Sequence, residues 1–185
     1  MGKVFLTPGL SSAMMENTAV LSAFIKKNLD FIQTCHTITS IMEHTYIFSE
    51  GSWVAHGTYF GMDGKPVPLE GISRIIHSAT LWRNDSTMKI LQPSPVEYLN
   101  VYEIQPFHDK DWTTWRSHHP ALGYLKGKFM VVGECILSGY SSENGLYSGT
   151  ETLIQISPSQ YRSWGMSFKS GEKLSSWMSI LTKKS

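Results

Sequence analysis

Residues 51–60, Gly-Ser-Trp-Val-Ala-His-Gly-Thr-Tyr-Phe, mark the point at which the periodicity of this chain changes. Before them, the apolar residues between Leu21 and Ile32 recur at intervals of three and four, which predicts one amphipathic helix. After them, polar and apolar residues alternate over short runs separated by turn dipeptides such as Asp63-Gly64. An Asp-Gly pair supplies the positive φ that tight hairpin turns require. The sequence therefore predicts a helix followed by antiparallel hairpins.

Eight segments have the character of β-strands, and most are joined by short loops. A meander of this kind predicts an up-and-down β-barrel, because each strand lies beside its predecessor and closure removes the exposed edges. A twisted open sheet wrapped on the helix and a sandwich are the alternatives. We interpret residues 106–123 as a long loop with at most a partial strand. The eight segments are 53–60, 69–82, 87–92, 96–104, 128–138, 147–156, 161–168 and 174–181.

Length and charge restrict the organisation of the chain and its partners. At 185 residues the chain suits one domain, with an arm and helix in residues 1–50 and the barrel in residues 51–185. The formal net charge is +1 and the basic residues are scattered. This pattern argues against nucleic acid or an anionic membrane surface as a partner. No stretch has the ~18 apolar residues of a membrane-spanning helix.

The two cysteines indicate a compartment. Cys35 follows the helical segment, whereas Cys135 lies in an apolar strand-like segment. These different contexts favour two free thiols over a disulfide, and free thiols are typical of a reducing environment. The N-terminal residues match no targeting signal. We therefore expect a cytoplasmic protein.

A Gly-x-Trp motif at the start of the first strand, followed by an antiparallel meander, resembles the calycin superfamily. This superfamily comprises lipocalins, fatty-acid-binding proteins and nitrobindin-like barrels, and the resemblance covers residues 51–182. It implies that Trp53 closes one end of a barrel whose lumen holds a small, mostly apolar molecule. In lipocalins a basic residue of the last strands covers this tryptophan, and Arg162 is the nearest match. The nitrobindin-like branch leaves haem open, since any of the seven histidines could supply an axial ligand; no other cofactor is expected.

Four titratable side chains in predicted strands are candidate acid–base catalysts. His56 and His77 lie in neighbouring strands, and a facing pair would exchange protons near neutral pH. Glu134 and Glu151 lie in strands joined at Asn144-Gly145, and a carboxyl group among apolar neighbours acquires a raised pKa. The alternative for each is a solvated or hydrogen-bonded structural position. Alternation alone does not decide which face of a strand turns inward.

Arg74 is the candidate anchor for a ligand carboxylate. Barrels of the fatty-acid-binding type use an internal arginine and tyrosine, so the resemblance implies this role for Arg74 with Tyr98 or Tyr102. A guanidinium suits the task because it stays charged and offers a planar fork of donors. Six Trp, eight Tyr, eight Phe and nine Met supply further bulky side chains for a cavity wall. The tryptophans expected to contact a ligand are Trp53, Trp82 and Trp164.

Two functions agree with these features. The first is binding of a small hydrophobic or aromatic organic molecule in the lumen. The second is a cofactor-independent isomerase, cyclase or lyase that acts on such a molecule by histidine or glutamate acid–base catalysis, which leaves no sequence motif. A metal site is not expected because no cluster of His, Cys and Asp has ligand spacing. Glycine-rich phosphate loops are also absent from the sequence.

Overall fold

The computed structural model describes residues 43–185, which form a closed antiparallel β-barrel of ten strands. Each strand pairs with its neighbour in the sequence, and β1 pairs with β10 to close the barrel. The expected N-terminal helix lies outside the described residues. The strands are β1 (Gly51–Phe60), β2 (Pro66–His77), β3 (Trp82–Ile90), β4 (Val96–Ile104), β5 (Trp112–His119), β6 (Gly123–Val132), β7 (Cys135–Ser142), β8 (Tyr147–Ser157), β9 (Gln160–Lys169) and β10 (Glu172–Lys183).

The antiparallel barrel confirms the predicted architecture, but the prediction of eight strands was wrong. β5 lies within the segment that we interpreted as a loop. The sequence did not indicate a strand there because two of its inward residues, Thr113 and Ser117, are polar, so polar and apolar residues do not alternate in the usual way. The predicted strand 128–138 is divided between β6 and β7 by a tight turn. Gly133 in that turn has a φ of 58°, which glycine adopts without steric cost. Within residues 43–185 there is no helix long and apolar enough to span a bilayer.

Strand pairing assigns the inner face of the barrel. Trp53 of β1 lies opposite Ser73 of β2 and Lys183 of β10, so these three residues share one face. Trp53 is only 1% exposed, which identifies that face as the inner one. The same pairing continues round the barrel and places many small side chains inside. The buried serines on this face include Ser73, Ser138, Ser163, Ser167, Ser175 and Ser179.

One end of the barrel is closed by the segment that precedes β1. Ile47 in this segment is fully buried, and Tyr46 contacts the ring of Trp53 edge to face at 5.3 Å between centroids. The hydroxyl oxygen of Tyr161 accepts a hydrogen bond from the backbone N–H of Thr45 at 2.9 Å. Aromatic packing and this bond fix the segment across the barrel end. We call this end the closed end and the opposite end the mouth.

The basic residue that covers Trp53 is Lys183 rather than Arg162. Lys183 Nζ lies 5.9 Å from the centroid of the Trp53 ring, within the range of a cation–π contact. Arg162 points outward and lies over Trp164, at 5.7 Å from that ring. The register explains the difference, since Lys183 is the direct cross-strand partner of Trp53. A basic residue of the last strand therefore covers Trp53, as the resemblance implies, but this residue is Lys183.

Candidate ligand-binding site

The barrel contains a cavity of about 360 Å³ that is partly open to solvent. This volume lies in the range of small-molecule sites, which are commonly concave and largely apolar. Trp53 lies at its closed end, while Tyr59, Tyr98 and Leu122 line it towards the mouth. Aromatic rings form much of the wall. They include Trp53, Tyr59, Tyr98, Tyr102, Trp115 and Trp177.

Glu151 is the acidic side chain that the barrel directs into this cavity. It lies on the inner face of β8, opposite Ser138 and Gly165. Its Oε1 accepts hydrogen bonds from Ser163 Oγ at 2.6 Å and from Trp177 Nε1 at 3.3 Å. Burial raises the pKa of Glu151, and these two bonds partly oppose that rise. The carboxyl group is therefore held in one orientation, and its pKa lies above the usual value of a glutamate.

Three tyrosines lie around Glu151. Burial raises the pKa of Tyr46 to about 12 and that of Tyr140 to about 12, and in both cases the charge of Glu151 adds to the effect. Burial also raises the pKa of Tyr102 strongly. All three hydroxyl groups consequently remain neutral at physiological pH. They provide donors and acceptors around the carboxyl group without adding charge.

A small polar network supports the wall near the closed end. Tyr46 Oη and Ser73 Oγ lie 3.1 Å apart, and Ser73 Oγ donates to Asn84 Oδ1 at 3.0 Å. Asn84 Nδ2 in turn donates to Tyr46 Oη at 3.3 Å. The three side chains thus satisfy one another, as buried polar groups generally do. This part of the wall is rigid and polar rather than purely apolar.

Other buried polar atoms on the wall have no hydrogen-bond partner within residues 43–185. They are Asn100 Oδ1, Trp115 Nε1 and Trp53 Nε1. Leaving such an atom unpaired costs roughly 1–3 kcal/mol. These three atoms present almost no surface to the cavity, so they are packed into the wall and are not open to a ligand. Asn100 is only 9% exposed, so its amide is held rather than free to seek solvent.

Four of the side chains singled out from the sequence line the cavity. Trp53 lies at the closed end, Tyr102 and Glu151 in the middle of their strands, and Tyr98 towards the mouth. Tyr98 also packs against His119, with 5.2 Å between the ring centroids. Their roles as ligand contacts or catalysts remain predictions.

The two predicted catalytic histidines are not cross-strand neighbours. His56 lies opposite Glu70 and points to the outside, where it is exposed. His77 lies opposite Trp82 at the closed end and stacks on its ring at 4.1 Å. His77 Nε2 donates to the carbonyl oxygen of Ile47 at 2.9 Å, which gives the ring a structural position. Trp82 belongs to the same packed end and not to the cavity wall.

Three further candidates lie outside the lumen. Arg74 is exposed on the outer face of β2, opposite Asp85, whereas Tyr98 and Tyr102 point inward. The expected arginine–tyrosine carboxylate site is therefore not assembled. Glu134 is exposed in the turn between β6 and β7, so it does not face Glu151. Trp164 is on the outer surface, 37% exposed.

His119 is the histidine that lines the cavity. Its Nδ1 accepts a hydrogen bond from the backbone N–H of Ala121 at 3.1 Å, which puts the ring proton on Nε2 in the neutral tautomer. Burial lowers the pKa of His119, so the neutral ring is favoured. Binding of haem iron through Nε2 would require the other tautomer and would cost the ring its bond to Ala121. Within the described residues no group of three or more His, Cys, Asp and Glu side chains could hold a metal ion.

Sequence reasoning missed several residues around Glu151. Ser163 and Trp177 hold its carboxyl group, and Tyr140 lies close by. In β9 the rule that apolar residues face inward selects Trp164, but the buried positions are Tyr161, Ser163, Gly165 and Ser167. A signal was present in the alternation of small residues with bulky ones along this strand. It identifies a face where other side chains need space.

No family model matches the sequence, and no curated protein matches it. Among solved structures, the barrel is similar to the S-type phycobiliprotein lyase of Guillardia theta, with a TM-score of 0.57 and 8% sequence identity over 76% of this chain and 91% of that one. It is also similar to Rv2717c from M. tuberculosis, with a TM-score of 0.55 and 11% identity over 74% and 92% of the two chains. Both neighbours are ten-stranded antiparallel barrels of the calycin-like type. At these identities the likeness concerns the fold alone.

Proposed function

We propose that this chain is a calycin-like binding protein whose lumen holds a small, largely aromatic organic molecule. The observation that carries the proposal is the partly open cavity of about 360 Å³ with aromatic walls. Polar groups that line the lumen, above all the oriented carboxyl group of Glu151, would orient the ligand. Apolar walls with a few fixed polar groups are the usual composition of such sites.

The structural neighbours support a choice of candidate ligands. One of them is a phycobiliprotein lyase, so a bilin belongs among the molecules to test. A bilin is a conjugated, nitrogen-bearing molecule, which suits a wall of aromatic rings and hydroxyl groups. We also retain the predictions of a single domain and a cytoplasmic location. Cys135 is a free thiol, in keeping with a reducing compartment.

Filling the cavity should weaken ligand binding. Ser138→Phe would place a ring on the inner face beside Glu151, whereas Ser176→Phe makes the same change on the outer face of β10. With acridine as a neutral probe, we expect Ser138→Phe to weaken binding about tenfold or more, because the ring occupies the ligand's space. Ser176→Phe should bind as the wild type does. Tryptophan fluorescence titration of the full chain measures both.

Circular dichroism should show the same β-sheet content in both variants. Equal affinity of the two variants for acridine, with both folded, would contradict binding in the lumen. The wild-type protein should also be examined by native mass spectrometry and absorbance for a co-purifying molecule. A co-purified ligand that is retained by Ser176→Phe and lost from Ser138→Phe would identify the natural ligand class.

An acid–base enzyme is the second candidate, and Glu151 is the observation that favours it. Its carboxyl group is buried, its pKa is raised, and neutral Tyr102 and Tyr140 lie near it. A carboxyl group whose pKa is raised by burial retains its proton more readily, which suits a general acid. Turnover of the co-purified molecule would separate an enzyme from a carrier. His56 and Glu134 are not needed for this version, since both lie outside the lumen.

A further inference from the structure

The cavity has one strong electrostatic feature. Glu151 is the only acidic side chain on the inner face of the described strands, and no Lys or Arg of residues 43–185 lines the cavity. Glu70 also borders the cavity, but it lies opposite His56 on the outer face of β2 and is exposed. Lys183 lies at the closed end over Trp53, and Arg74 lies on the outer surface. A ligand would therefore meet a carboxyl group without a protein counter-charge.

The two oxygens of Glu151 differ in their surroundings. Oε1 accepts hydrogen bonds from Ser163 and Trp177, which come from two different strands and fix the orientation of the carboxyl group. Oε2 has no hydrogen-bond partner among the described residues, and the residue lines the cavity. A cavity-lining oxygen that is oriented but has no partner favours any ligand that brings a donor to it. Charged donors form the strongest bonds of this kind.

We propose that the lumen selects ligands that carry a protonated nitrogen on an aromatic or conjugated framework, and that this nitrogen donates to Oε2 of Glu151. The inference rests on the proposed binding function and adds the charge class of the ligand. Binding pairs the cation with the carboxylate. If Glu151 is protonated beforehand, its proton passes to solvent as the ion pair forms. The low dielectric of an enclosed site strengthens such a pair.

The same geometry disfavours a ligand carboxylate that lies beside Glu151. An anion in the lumen would lie near Glu151, and like charges at short range destabilise each other. The tyrosines around Glu151 stay neutral, and His119 towards the mouth is kept neutral by burial, so neither offers a positive charge. The expected fatty-acid type of ligand is thus replaced by its electrostatic opposite.

Three acridines of similar shape test the proposal at mildly alkaline pH. 9-Aminoacridine is cationic, acridine is neutral, and acridine-9-carboxylate is anionic. We expect the cation to bind wild-type protein about tenfold to a hundredfold more tightly than acridine, which is the range that a hydrogen bond to a charged group contributes. The anion should bind most weakly. Fluorescence titration or calorimetry on the full chain measures the order.

Variants connect this preference to one side chain. Glu151→Gln should remove the advantage of 9-aminoacridine over acridine, measured as the ratio of the two affinities in the same variant. Glu151→Asp keeps the charge and should retain part of the preference. Glu134→Gln makes the same charge change in an exposed turn and should bind all three probes as the wild type does.

Each outcome separates this inference from the function on which it rests. Equal affinities for the three probes, or tightest binding of the anion, would overturn the charge selectivity but leave lumen binding in place. The same follows if Glu151→Gln keeps the preference. Failure of all three probes to bind the wild type would contradict both proposals. The order measured on the wild type decides the question even if a variant does not fold.

Discussion

Glu151 combines opposing influences within a few ångströms. Burial favours the protonated, neutral form of its side chain, whereas the hydrogen bonds from Ser163 and Trp177 favour the ionised carboxylate. The outcome is a raised pKa, so the group can change its protonation state when a ligand arrives. Such a residue in an enclosed cavity is a functional candidate on physical grounds. The same property has a consequence for the stability of the fold.

The free energy of unfolding should depend on pH through Glu151. Between the pKa of a glutamate in the unfolded chain, about 4.3, and the higher pKa of Glu151 in the barrel, the folded state binds more protons. The free energy of unfolding therefore falls as pH rises through this interval, and the loss persists above it. Glu151→Gln should remove the loss and be more stable than the wild type at high pH by roughly 1–3 kcal/mol.

Urea unfolding at a series of pH values, followed by circular dichroism, measures this difference. Tyr46 and Tyr140 do not titrate in the interval, because burial raises the pKa of each to about 12. His119 is unchanged in the variant, so its contribution cancels. The matched control is Glu134→Gln, which changes an exposed carboxylate and should follow the wild type at every pH. A stability difference that does not change with pH would refute the expected coupling.

Strands β9 and β10 show how small residues shape the lumen. Gly165 lies opposite Trp177, and a Cβ atom at Gly165 would lie 2.1 Å from Cζ2 of the indole ring. The ring can lie flat over this strand only because the glycine has no side chain. That position directs the indole N–H to Glu151. The glycine thus positions a donor of the site without touching a ligand.

Replacing this glycine should disturb both stability and the site. Gly165→Ala forces the Trp177 ring to move, and we expect a loss of about 1–3 kcal/mol in the free energy of unfolding, as in other overpacked positions. The change in the indole environment should also shift the tryptophan fluorescence spectrum. Gly139→Ala in β7 is the control, since nothing lies within 4 Å of a Cβ placed there. Equal unfolding free energies for the two variants would show that the ring does not depend on Gly165.

Closure of the barrel governs how the whole molecule opens. β1 pairs with β10 from Trp53 to Phe60, so the first and last strands have no free edge. The pairing of β4 with β5 is the shortest, with four residue pairs from Val101 to Ile104. Near the mouth, the first residues of β4 extend beyond the end of β5. Local opening should therefore begin between β4 and β5.

Hydrogen–deuterium exchange tests closure strand by strand. Amides of β1 and β10 should exchange as slowly as those of β8 and β9, because each takes part in two continuous ladders. Amides of β4 before Val101 should exchange first among the strands, since they face a partner on the β3 side alone. Mass spectrometry of peptic fragments gives the comparison. Rapid exchange throughout β1 and β10 would indicate an open sheet instead of a barrel.

The sequence by itself determined the antiparallel meander, because alternating runs and turn dipeptides such as Asp63-Gly64 depend on local backbone preferences. It also identified Trp53 and Glu151 as residues of interest. The tertiary structure alone decided which face of each strand turns inward, since a period of two defines two faces and does not distinguish them. It placed Arg74 outside and Lys183 over Trp53. Side chains that border a cavity do not have to fill a solid core. The inward serines and Glu151 therefore do not follow the pattern in which apolar residues face inward.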